Sequence, residues 1–381
     1  MAEISNPARK SKKSWLSLIG FALIGAVFGA GLAWLGIYTG KNLLPLRAAL
    51  DALNAWDLLL LPVWLLLVLA VHEVGHLLGG FIRGMRFLLY IVGPFQLTQT
   101  TSGIRFSWVF NLGTFGGLAA ASPNPVRPIR PQLLSLIAGG PLASLALTLI
   151  GMLLFMADGR IAAHGLFIGF FSALIFLVTA IPSRAGGFMS DGMQFSEVLR
   201  GGDAVMERQQ ITTLMAQSMA GLRPRDWSAD WLEPATQNDS VDPLRRAAVR
   251  LLAMLAAEDR GLTETADAHA EWLAEHTDDY PLGFRQSLTL ELCLHAMARG
   301  NPNGARMWMV QSKGGIVDKA RRALAEAELA LADGDKTLAF GKELEARSQL
   351  KNGMDAGLNK ITSERLDLLI AQIASKHSAV V

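Results

Sequence analysis

Four stretches of the chain are nearly free of charge and long enough to cross a bilayer, which takes ~20 apolar residues. No residue between Lys13 and Lys41 is charged, which sets the first span at about Trp15–Tyr38. The second runs from about Trp56 to Phe81, and past Asp57 at its mouth its only charge is Glu73. The third lies between Arg130 and Asp158, and the fourth between Arg160 and Arg184. The first stretch is too long for a typical signal-peptide core, and no clean small-residue cleavage site follows it. After Gly201-Gly202 the long apolar runs stop, and amphipathic helices separated by Gly, Asn and Asp turns take over.

The segment between the second and third spans follows a different period. Phe87–Val92 is a strand-like apolar run, a turn signal follows at Thr100–Gly103, and apolar residues resume over Ile104–Phe110. This pattern predicts a β-hairpin. The glycine-rich run Phe106–Ala121 is apolar enough to re-enter the membrane without crossing it. A full crossing there is the alternative, and it would put the C-terminal half on the other side.

In the C-terminal half, Asp242-Pro243 signals a helix start, followed by Leu244, Ala247, Leu251 and Leu255 at helical spacing. Ala298-Arg299-Gly300-Asn301 with Ala305 corresponds to Ala332-Asp333-Gly334-Asp335 with Ala339, an offset of 34 residues. That is the period of a tetratricopeptide repeat, a scaffold for protein partners. Gly261 lies 39 residues before Gly300, so the period slips upstream. An ordinary helical bundle is the competing reading.

Composition sharpens the division. Residues 14–200 carry 16 charged side chains and residues 201–381 carry 47, within a chain of 381 residues that is 51% hydrophobic and 18% charged. The mean hydropathy of +0.31 and the net charge of +2 argue against a disordered or nucleic-acid-binding chain. Cys293 is the single cysteine, which excludes an internal disulfide. Arg9, Lys10, Lys12 and Lys13 precede span one; Arg83, Arg86, Arg105, Arg127 and Arg130 follow span two; Arg184 and Arg200 follow span four. The positive-inside rule then places both termini in the cytoplasm. The expected architecture is mainly α. A basic N-terminus (1–13) precedes a polytopic membrane domain of about four spans with a β-hairpin or re-entrant loop (14–200). A soluble α-helical, tetratricopeptide-like domain (201–381) follows.

The chemistry sits inside span two, where residues 72–76 read His-Glu-Val-Gly-His. Positions i and i+4 share one helix face, so His72 and His76 can present nitrogens to one zinc ion. Glu73 beside them can take a proton from water. Ionisable groups in a span cost ~2.5–3.5 kcal/mol each on insertion scales, and a bound dication compensates them better than packing does. A catalytic zinc needs a third protein ligand. His72 is fifteen residues past Asp57, about 20 Å of helix, so the site is nearer the cytoplasmic face. Span four ends on that face in a glycine-containing turn followed by Asp191, the favoured third ligand; Glu197, six residues on, is the competitor, expected on a following helix that faces solvent. His164 sits at the far end of span four.

The combination of His72–His76, Gly139-Gly140-Pro141-Leu142-Ala143-Ser144 and Ser190-Asp191-Gly192 resembles the site-2 protease family of intramembrane zinc metalloproteases (peptidase family M50). The resemblance covers about residues 56–200. It implies one Zn2+ per chain held by His72, His76 and Asp191, with Glu73 as catalytic base. It also implies that the hairpin region 87–110 handles an extended substrate strand. Two positions depart from the family pattern: Ser144 and Thr179 stand where many members carry asparagine. These departures bear on substrate contacts rather than on metal ligands. Gly139-Gly140-Pro141 reads equally as helix packing and as substrate contact.

The expected function is an intramembrane zinc endopeptidase acting on membrane-protein substrates in a lipid bilayer, with a possible protein partner on the C-terminal helices and no nucleic acid. The expected location is a bacterial plasma membrane. The alternative is a non-proteolytic scaffold with a structural metal, which would not need Glu73. A metal transporter fits less well, because the intramembrane ligands are concentrated at one site.

Overall fold

The computed structural model describes residues 44–108, 117–124, 126–185, 188–229, 232, 242–280, 282–314, 317–353 and 355–378. The expected first span and basic N-terminus lie outside these residues, as do 109–116 of the expected re-entrant run. The described chain is mainly helical with a small antiparallel sheet. Three of its helical segments are long and apolar enough to cross a membrane: Ala55–Ile82, Ile129–Phe155 and Gly159–Ala180. They coincide with expected spans two, three and four.

The chain divides into two compact units. One combines the chain up to Val71 with Pro141–Met193, and the other combines His72–Gly140 with Gln194 onward. The first contains α1 (Leu44–Asp51), α2 (Ala55–Leu58), the first half of α3 (Leu61–Ile82), the later part of α4 (Ile129–Phe155) and α5 (Gly159–Ala180). In it α4 and α5 approach through small residues. A methyl group at Gly151 would lie 2.4 Å from the Gly169 backbone. Ser172 Oγ donates to the Ser144 carbonyl at 2.8 Å, and Ser144 is fully buried. Position 144 therefore lies in a helix–helix seam, where serine fits and a larger amide would crowd. Thr179 Oγ1 reaches only its own helix, at the Phe176 carbonyl.

The second unit contains β1 (Arg86–Val92), β2 (Phe95–Thr100), β3 (Gly103–Trp108) and β4 (Leu118–Ser122), in the order β3-β2-β1-β4. The two runs of the expected hairpin, now β1 and β3, do not pair with each other, because β2 lies between them. The run 87–92 turns at Gly93-Pro94 onto β2, a strand missed because Gln96, Thr98 and Gln99 break its apolar pattern. The expected turn at Thr100–Gly103 joins β2 to β3 instead. On one face of this hairpin Phe95 pairs with Trp108 and Leu97 with Phe106, and all four side chains are exposed. Thr98 and Thr100, on the opposite face, are buried. The usual polarity of a surface hairpin is inverted.

The same unit holds α6 (Asp191–Arg200, shared with the first unit), α7 (Asp203–Met219), and α8 (Pro243–Asp259) with α9 (Thr263–Glu275). It continues through α10 (Leu282–Ala298) with α11 (Pro302–Gln311), α12 (Lys319–Ala332) with α13 (Lys336–Leu350), and α14 (Ala356–Ser378). Asp242 caps α8 as expected, accepting from Leu244 N. The three helix pairs turn alike. Gly261, Gly300 and Gly334 adopt φ of +74°, +67° and +83°, a region open to glycine. The following N–H in each turn reaches back to the Ala257, Ala296 and Ala330 carbonyls at 2.9 Å, the Schellman closure. Asn301 and Asp335 then cap the next helix through Gly304 N and Leu338 N, while Leu262 offers no such oxygen. That missing cap falls where the 34-residue period slips. Leu290, Cys293, Leu294, Leu324 and Leu366 join α10, α12 and α14 in one core cluster, and Ala247, Met254, Leu273 and Leu288 form another across α8, α9 and α10.

Candidate metal centre

His72, Glu73 and His76 lie on α3, a helix of 22 residues whose only proline, Pro62, sits in the first turn. His72 and Glu73 are both buried. The Nε2 atoms of His72 and His76 converge to 3.2 Å, with the rings edge to face. His76 Nδ1 lies 2.8 Å from the Leu136 carbonyl. A carbonyl only accepts, so Nδ1 must carry the proton and Nε2 keeps its lone pair for a metal.

Glycines make the approach of α3 to α4 possible. A methyl group at Gly139 would lie 2.1 Å from the Gly75 carbonyl oxygen, and one at Gly79 would lie 2.1 Å from that of Ser135. At Gly140 it would lie 2.3 Å from His76 Nε2. Gly139 and Gly140 thus serve packing, and Gly140 also clears space for the imidazole.

Glu73 faces the sheet. A methyl group at Gly117, where φ is +90°, would lie 2.5 Å from Glu73 Oε1. Gly117 leads directly into β4, an edge strand that pairs with β1 on one side. Among the described residues β4 pairs with β1 alone, and its side chains over 119–122 are alanine and serine. Tyr90, opposite Ala119 in the ladder, has its phenol pushed up by burial and by the Glu73 charge. Neither Gly117 nor Tyr90 carries a sequence signal toward Glu73, because both are brought in by sheet pairing.

Asp191 is the first residue of α6. Ser190 Oγ accepts from Met193 N at 3.3 Å and from Ser183 N at 2.9 Å, and donates to the Ile181 carbonyl at 2.7 Å. This cap fixes where the helix starts and so where Asp191 stands. Gly192 is required beside it, since a methyl group there would meet the Ala180 carbonyl oxygen at 1.8 Å.

One ligand-type atom from each of His72, His76 and Asp191 can be chosen so that all lie within 4.8 Å of one another. Two imidazoles and a carboxylate form a donor set suited to zinc, and this group can hold a metal ion. Glu197 is not part of it, and it does not lie on a separate, solvent-facing helix. It shares α6 with Asp191 and binds Arg245 at 2.8 and 3.0 Å and Arg208 at 3.2 Å. Burial raises its pKa, but these two arginines outweigh burial and hold the carboxyl below the ordinary range. His164 lies instead 3.5 Å from Asp57.

Comparison with known proteins finds no matching family model, no matching curated protein and no matching solved structure. The functional reading therefore rests on the residues and their arrangement.

Proposed function

We propose that the protein is an intramembrane zinc endopeptidase of the site-2 protease type. It would hydrolyse peptide bonds in or near transmembrane segments of membrane-protein substrates. The observation that carries this reading is the convergence of His72 and His76 with Asp191, and the place of Glu73 next to His72 on a membrane-length helix. A structural metal site needs ligands, but it does not need a buried carboxylate adjacent to them.

In this reading His72, His76 and Asp191 hold one Zn2+, which when bound supplies the Lewis acidity that polarises a carbonyl and acidifies water. Glu73 accepts the proton of the attacking water and returns it to the leaving amine. A helical substrate hides its carbonyls in hydrogen bonds and must be extended before attack. The β4 edge supports strand addition of such a segment beside Glu73, which moves the expected substrate contact from 87–110 to 118–122. The outward Phe95, Leu97, Phe106 and Trp108 suit a sheet set at the membrane interface, where aromatic side chains are favoured. The three helix pairs of the C-terminal half are read as a tetratricopeptide-like partner-binding domain in the cytoplasm.

The test is cleavage of a panel of single-span membrane peptides in detergent by wild type and Glu73→Gln, with zinc measured in both. Wild type is expected to cut, and the variant to keep its zinc and lose at least ~10²-fold in rate. Equal cleavage by both would overturn the assignment of Glu73, and zinc in both without cleavage of any peptide would favour the scaffold.

A further inference from the structure

The helix that carries Asp191 is tied to the C-terminal helices by a buried ionic cluster. Glu197 on α6 receives a bidentate pair from Arg245 on α8, at 2.8 and 3.0 Å, and a further bond from Arg208 on α7 at 3.2 Å. Arg245 also lies 3.2 Å from Asp242 and 3.6 Å from Glu207. The side chains of Arg245 and Glu197 are only 9% and 18% exposed. Buried ion pairs of this kind contribute little net stability over apolar packing, and their best-attested use is to fix one geometry. A second tie holds the far end of α6: Arg130 on α4 donates to the Val198 carbonyl at 3.1 Å and to that of Leu199.

The geometry makes this more than an anchor. Asp191 and Glu197 are six residues apart on one ten-residue helix, so their side chains leave the axis roughly 120° apart. Glu197 therefore cannot share the Asp191 ligand position, but it can set the rotation of the helix. Side-chain tips ride roughly 5–6 Å from a helix axis, so a rotation of about 20° moves a carboxylate by about 2 Å. Metal–ligand distances tolerate only about 0.2 Å.

We infer that Arg245, acting through Glu197, is a positioning residue for the metal site, so that the C-terminal helices set the geometry of the Asp191 ligand. The inference rests on the reading of His72, His76 and Asp191 as a metal site. It gives the C-terminal half a role in the centre itself, besides any partner it binds. A second contact of the same half reaches the sheet. The β2–β3 turn binds the α13–α14 loop through Thr101 N to the Gly353 carbonyl at 3.2 Å and Ser102 Oγ to the Lys351 carbonyl at 2.9 Å.

The experiment measures zinc affinity of the full chain in detergent by chelator competition, together with the visible spectrum of the Co2+-loaded protein. Arg245→Met and Glu197→Gln are each expected to weaken zinc binding about 10- to 100-fold, the range for residues that orient metal ligands, and to alter the Co2+ spectrum. The double variant is expected to be no worse than the weaker single, because one interaction is lost. Arg245→Lys should recover part of the loss. Arg347→Met breaks ion pairs to Glu343 and Asp367 elsewhere in the same half and is expected to change neither readout. If Arg245→Met does not fold, the isosteric Glu197→Gln decides. Unchanged affinity and spectrum in Glu197→Gln, or an equal loss in Arg347→Met, would overturn the inference. Wild type that binds no zinc would instead sink the metal site and this inference with it.

Discussion

Two polar clusters share the helical segment Ala55–Ile82, and their make-up differs. At one end Asp57 accepts from Asn54 N at 2.9 Å in a capping box, pairs with Arg160, and has His164 at 3.5 Å. The carboxylate there meets a guanidinium, so the cluster closes with protein groups and ties the mouth of one span to the start of another. Fifteen residues on, His72 and His76 meet Asp191 beside Glu73, in a group that can hold a metal ion. Charged residues in an apolar helix are alike in cost; Asp57 is met by a guanidinium, whereas the second set is of the kind that ligates a cation.

The sharpest way to break this comparison is to exchange the losses. His72→Ala and Asp191→Ala are expected to take zinc from about one per chain to near none with the helices intact, because a three-ligand site does not survive on two. Asp57→Asn is expected to leave zinc content unchanged and to lower the thermal midpoint, since Arg160 loses its partner. Zinc analysis and thermal denaturation in detergent read both. Loss of zinc from Asp57→Asn would erase the distinction.

A smaller effect is expected from Gly140→Ala. The added methyl group meets His76 Nε2 at 2.3 Å, so zinc affinity should fall at least ~10-fold, in the range for disturbed ligand orientation. Gly341→Ala on α13, where a methyl group meets nothing within 4 Å, should leave zinc binding unchanged and stabilise the helix by up to ~1 kcal/mol.

Acid should act on both halves. Burial raises the Asp259 pKa, but hydrogen bonds from Arg223 and Arg225 outweigh it and hold the carboxyl below the ordinary range, as Arg245 and Arg208 do for Glu197. A depressed folded-state pKa stabilises the fold above the unfolded value and loses that contribution as pH falls through the folded one. Helicity of the C-terminal half should therefore hold down to about pH 4, the unfolded carboxylate range, and fall below it. Zinc binding competes with protons for its ligands, so zinc content should fall on acidification as well. Circular dichroism and zinc content followed together over pH test both.

The smallest effect concerns Cys293. Burial pushes its thiol up to about 12, so it should resist alkylation in the native protein and react fully on unfolding, as a thiol-labelling time course would show.

The three membrane-length helices of expected spans two, three and four were legible because an apolar run is a local property, and the shared face of His72 and His76 was legible because helical spacing is local too. Asp191 could be reached from chain order and depth. Glu197 was misread because the partners that occupy it, Arg208 and Arg245, lie 11 and 48 residues away. Gly117 and Tyr90 reach Glu73 only through the β1–β4 ladder. Strand β2 stayed hidden because its buried face is polar and its apolar face is exposed.

The most direct test is zinc-edge X-ray absorption on the purified full chain, for wild type and Asp191→Ala. The expected wild-type spectrum shows two imidazole nitrogens and oxygen donors at about 2.0–2.2 Å with no sulfur, and it should lose an oxygen donor or the metal in the variant. Absence of zinc in wild type, a sulfur ligand, or an identical spectrum in Asp191→Ala would contradict the account.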